Sequence, residues 1–96
     1  MKNEKKEILE KIQPVFSKVF GNESIKIDHN SSPATIEQWD SLAQISLIVG
    51  IERLFNIKFT VSELADLKNV GEIIDLILKV NNIYLFFVQV LHIITI

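Results

Sequence analysis

The stretch 36-IEQWDSLAQISLIV-49 passes from polar loop to apolar helix at Asp40 and Ser41. Both are favoured helix caps, because a short side-chain oxygen can accept a backbone N–H that the first turn leaves open. Ser41 with Gln44 three residues on fits the S-x-x-Q capping box. The same serine is also a hydroxyl held out at a helix start, available for chemistry. Beyond it, Leu42, Ile45 and Val49 recur at i, i+3 and i+7. That spacing suits either core packing or a surface patch beside the serine. Ile48, Ile51 and Phe55 are expected in the core, and Asn56 is expected to stop the helix.

Upstream, Ile8, Leu9, Ile12, Val15, Phe16, Val19 and Phe20 mark one face of an amphipathic helix, with Lys and Glu on the other face. Pro14 inside it is expected to bend or split the helix, and Gly21 to end it. Residues 21–40 then form a long connection. Ile25 and Ile27 read as a short extended piece without a partner strand, and Ser32-Pro33 as the start of a brief helical turn. Ile36 and Trp39 are its expected anchors on the core. A loop this long in a small domain points to function.

Downstream, Thr60 and Glu63 form a T-x-x-E box opening a short helix to about Leu67. Asn69 and Glu72 repeat the pattern and open a last helix over 70–80, buried through Val70, Ile73, Ile74, Ile77 and Leu78. Asn81-Asn82 is expected to break it. The ending, 83-IYLFFVQVLHIITI-96, holds eleven apolar residues in fourteen and no charge. As a helix it would span about 21 Å, short of a bilayer's core of roughly 30 Å. Its β-branched and aromatic content suits a strand or aggregation equally. A natural apolar extension and a shifted reading frame would both give such an ending. Its apolar face is expected to be buried, against the chain's own helices or a second copy.

Ninety-six residues with 48% apolar content fit one small domain with a genuine core. The expected division is a domain over 1–80 and an apolar tail over 81–96. There is no cysteine, which excludes disulfides and cysteine-based metal centres and suits a reducing compartment. Residues 1–20 are net basic and 21–80 net acidic, with no basic stripe interleaved with aromatics, so no nucleic-acid partner is expected. No apolar run follows the first lysines, and a cytoplasmic protein is expected. His29 and His92 lack ligand company at helical spacing, so no metal is expected. Ser31, Ser32, Ser46 and Ser62 have no histidine–acid partners in any recognisable motif, which leaves hydrolase chemistry unsupported.

The segments 39-WDSLAQISLIVGIERLFNIKF-59 and 63-ELADLKNVGEIIDLI-77, in this helix order, resemble the acyl carrier protein family over residues 4–80. The resemblance implies an all-α, four-helix carrier bundle: three longer helices, one short helix, and a long loop between the first two. It implies no enzyme activity of the chain's own. Ser41 would carry a covalent 4'-phosphopantetheine arm, placed by a phosphopantetheinyl transferase, with acyl or aminoacyl cargo held as a thioester. Asp40 would serve transferase recognition, and Leu42, Ile45 and Val49 would meet acyl-loading and acyl-processing enzymes. Leu47, Ile51, Leu64 and Ile73 would line space for an acyl chain.

Three departures from the family pattern stand out. Gln38-Trp39 occupies the place of a usual glycine. Residues 41–55 hold only Glu52 and Arg53 among charged types, where carriers for fatty-acid synthesis commonly show a run of acids. Weak steering toward basic partners argues for a dedicated partner set rather than general fatty acid biosynthesis. The tail has no counterpart in the pattern. In the rival reading the chain is a non-catalytic interaction module acting through its apolar tail, where 83–96 drives self-association or holds the protein to a membrane.

Overall fold

The computed structural model describes the backbone of residues 4–95, and side chains over 4–81 with those of Val90 and Leu91. Four helices appear in order: α1 (Glu4–Phe20), α2 (Ser41–Phe55), α3 (Val61–Ala65) and α4 (Val70–Thr95). Among the described residues there are no strands, which agrees with the expected all-α carrier bundle.

The apolar spacing of α1 buries Ile8, Ile12, Phe16 and Phe20. α1 packs against both α2 and α4. Leu47 and Ile51 from α2 and Val70, Ile73, Ile74 and Ile77 from α4 complete one core, with Trp39 and Ile27 contributed by the long loop. Each such side chain gains about 1.5–3 kcal/mol by leaving water. Ile48 is also buried, and Phe55 packs half-buried against the core. Gly50 marks the close approach of α1 to α2: a Cβ there would meet Val15 Cγ1 at 2.8 Å.

Pro14 neither ends nor splits α1, which runs unbroken across it. The proline lies on the exposed side of the helix. The Glu10 carbonyl deprived of its N–H partner therefore faces water rather than the core, which lowers the cost of the missing bond. Gly21 closes the helix at φ 65°, with Asn22 N–H donating to Ser17 O at 3.1 Å.

The connection over residues 21–40 is ordered by contacts distant in sequence. Gln13 of α1 donates from Nε2 to Ile25 O and accepts the Ile27 N–H at Oε1, both at 2.9 Å. Farther along, Val70 N–H donates to Ser31 O and Gly71 N–H to His29 O, each at 2.9 Å. Two open donors of the α4 first turn are thus satisfied by the loop. Asn69 Oδ1 takes a third, the Glu72 N–H, at 2.9 Å. Ser32 accepts N–H bonds from Thr35 and Ile36, which makes the expected turn a single one.

Two helix ends differ from expectation. α3 stops at Ala65 rather than near Leu67, and α4 does not stop at residue 80 but continues to Thr95. Two asparagines each cost a helix only a fraction of a kcal/mol, too little to break one whose neighbours on both sides are helical. The 26 residues of α4 make it about 39 Å long, and the chain measures 51 × 32 × 20 Å. Among the described residues, no helix is long and apolar enough to cross a membrane. Leu91 is exposed. The side chains of 82–89 and 92–96, on which the expected burial of the tail bears, lie outside the described residues, as does that of His92.

Candidate functional site

Ser41 is the first residue of α2, and its side chain is exposed. Its position follows from what stands before it. Trp39 is 4% exposed, edge-on to Phe16 at 5.3 Å and tilted against Phe20 at 6.1 Å. The indole anchors the end of the loop in the core. Asp40 then turns in extended backbone, φ −95° and ψ −174°, and its Oδ1 accepts the Ala43 N–H at 2.8 Å.

Asp40, not Ser41, is therefore the cap, and the expected Ser41–Gln44 box does not form. The carboxylate one residue earlier already holds the donor that a serine cap would seek. Gln44 is taken by Trp39, whose Nε1–H donates to its Oε1 at 2.6 Å. The outcome leaves the serine free: among the described residues the Ser41 hydroxyl makes no hydrogen bond, and neither the Ser41 nor the Leu42 amide has a protein acceptor.

A primary hydroxyl with two open amides beside it at the positive end of a helix suits a phosphodiester. The arm's terminal thiol has no rival within the chain, because the chain has no cysteine. The residues present thus fit a phosphopantetheine group. Among the described residues, no group of three or more His, Asp or Glu side chains is placed to hold a metal ion.

The alternatives for the next turns resolve toward the surface. Leu42 is 73% exposed, Ile45 62% and Val49 39%, and Leu54, farther round the helix, is exposed at 48%. Leu47, Ile51 and Ile73 are fully buried members of the core, while Leu64 is half-buried. Two adjoining depressions run along the seam of α1 and α2. The first, beside the serine, is lined by Phe20, Gln38, Asp40 and Leu42, among others. The second is lined by Val15, Lys18, Ile45, Val49, Arg53 and Leu54. They share Val19 and Ser46. This seam was not legible in the sequence, since it depends on which face of α1 meets α2.

Residues 10–77 match the family described as phosphopantetheine attachment site. The chain belongs to that family. Among solved structures, it is similar to the holo acyl carrier protein from Geobacter metallireducens, at 40% identity over 80% of this chain and 88% of that one, with a TM-score of 0.74. No curated protein sequence matches it. The chain is thus an acyl-carrier-type protein, a carrier rather than an enzyme, with 4'-phosphopantetheine as its covalent prosthetic group. Carriers of this type work with phosphopantetheinyl transferases and acyl-processing enzymes.

Proposed function

We propose that Ser41 is the attachment residue of this carrier and that it serves a dedicated acyl or aminoacyl pathway. One observation carries the assignment. Within the matched span, Ser41 is an exposed hydroxyl at a helix start with no internal hydrogen bond and two open amides beside it. In the modification its oxygen would gain a bond to phosphorus and lose its proton, while the P–O–P link of coenzyme A breaks and the adenosine 3',5'-diphosphate half leaves. The arm brings a thiol on which cargo is held as a thioester. The chain itself supplies position: Trp39 fixes the loop, Asp40 caps the helix and stands beside the serine for the transferase, and Leu42, Ile45 and Val49 meet the partner enzymes. The near-neutral α2 supports a dedicated partner set over general fatty-acid service.

Incubation with coenzyme A and a broad-specificity phosphopantetheinyl transferase should add one phosphopantetheine mass, located by peptide mapping at Ser41. Ser41→Ala should abolish the addition and leave the fold intact. An unmodified wild type, or an arm on another serine, would overturn the assignment.

A second role attaches to the tail. The family match ends at residue 77, and α4 carries on without a charged residue from 80 to Thr95. We assign self-association to residues 83–96, outside a carrier domain over 1–80. Sedimentation equilibrium of the full chain and of a chain ending at Val80 tests this. A full chain that stays monomeric at high concentration would remove the role.

A further inference from the structure

We infer that the α1–α2 groove is a docking site for an acidic partner: a segment with an apolar anchor flanked by carboxylates, on an enzyme that works on the loaded arm. The inference rests on the carrier reading and adds the sign of charge that the partner must bring.

The groove brings apolar and cationic side chains together. Val15, Ile45, Val49 and Leu54 stand among its lining residues with Lys18 and Arg53. Among the described residues, neither cation has an ion-pair partner. The one acid of α2, Glu52, is not among the residues that line the groove, and its Oε2 accepts the Phe59 N–H at 3.0 Å. Lys11, one helical turn before Val15 on α1, adds a further cation near the groove, and the acids of α1, Glu4, Glu7 and Glu10, all precede it. The lining of this groove, with Lys18 and Arg53 and no acid, is thus opposite in sign to one suited to a basic docking patch.

The groove is also in the right place. Through Val19 and Ser46 it continues into the depression beside Asp40 and Leu42, next to Ser41. A partner seated there lies alongside the arm. Asp40 at the serine end and the two cations farther along fix which way round an acidic segment sits. A second copy's tail is a poor occupant, because residues 80–96 contain no acidic side chain to meet Lys18 and Arg53.

Two synthetic helical peptides with the same leucine face test the proposal, one flanked by glutamates and one by lysines. Each is titrated into the full chain at low salt, with the methyl signals of Val15, Ile45, Val49 and Leu54 followed by NMR. The glutamate peptide should shift these signals, and its affinity should fall about tenfold in Lys18→Glu/Arg53→Glu. The lysine peptide should bind that double variant better than it binds the wild type, which a misfolded variant would not reproduce.

Equal binding of both peptides by the wild type would reduce the groove to a non-specific apolar surface and overturn the charge assignment. Shifts confined to α4, or no shifts at all, would overturn the site. Arm addition to the wild type, measured by mass in parallel, reports separately on the carrier reading.

Discussion

The indole N–H of Trp39 reaches over the start of α2 to donate to Gln44 Oε1 at 2.6 Å. The two residues bracket Asp40 and Ser41, one buried in the aromatic cluster of Phe16 and Phe20 and the other a turn inside the helix. The serine's position is therefore set by a core contact and a hydrogen bond, neither of which uses the serine itself.

Trp39→Ala should destabilise the protein by about 3–5 kcal/mol, because it removes a large buried ring and leaves a cavity against Phe16. Trp39→Phe keeps most of the packing and loses the bond to Gln44, for a cost of about 1 kcal/mol beyond the change in ring size. Denaturant unfolding measures both. The Phe variant should still accept the arm, at a reduced rate, since the helix start is less firmly held.

Asp40 combines a structural role with a proposed recognition role, and two substitutions separate them. Asp40→Ala loses the cap on Ala43 N–H and should cost about 1 kcal/mol. Asp40→Asn retains a capping oxygen and removes the charge, so its unfolding midpoint should stay near that of the wild type. Slower modification of Asp40→Asn by the transferase would show that the charge itself is recognised. Equal rates would leave Asp40 as a cap alone.

Gln13 ties α1 to the loop with one side-chain amide, donating to Ile25 O and accepting from Ile27 N–H. Gln13→Leu keeps the bulk but leaves two partly buried backbone groups without a partner. The expected loss is about 2–4 kcal/mol, since each unsatisfied group costs about 1–2 kcal/mol. Hydrogen exchange should locate the loss: the Ile27 amide should lose protection, while amides in the middle of α2 keep theirs.

How much of this was legible beforehand depended on range. The stripes Ile8–Phe20 and Val70–Ile77 announced their helices, because a period near 3.6 is local information. Thr60 and Glu63 form the expected box, with every partner within three residues. The S-x-x-Q pattern at Ser41 misled because the two residues before it intervene: Asp40 takes the cap, and the Trp39 indole takes the Gln44 side chain. The Gln13 clamp and the loop caps on α4 were invisible, since their partners lie 12 or more residues apart. The Asn69–Glu72 box formed only in part, with Glu72 Oε2 accepting the Lys68 N–H rather than that of Asn69. The serine's exposure was anticipated from the resemblance, but its freedom from hydrogen bonding follows from Asp40 taking the cap.

The same short-range chemistry makes α3 sensitive to acid. The Thr60 N–H donates to Glu63 Oε1 at 2.8 Å, and the Thr60 hydroxyl donates to it at 3.0 Å. The backbone bond first, and the hydroxyl second, hold the Glu63 carboxyl below the ordinary glutamate range. Both bonds favour the charged form. A carboxyl whose pKa is lower folded than unfolded adds stability that is complete above the unfolded value and disappears as pH falls through the folded one. α3 should therefore fray at its N-terminal turn in acid, before the core responds. A carboxyl-detected NMR titration should show Glu63 as a late-protonating glutamate, with the Thr60 amide shift following the same curve. Glu63→Gln should remove that inflection while keeping a weaker box. A Thr60 amide that titrates with an ordinary glutamate midpoint would mean the box does not bear on the charge of Glu63.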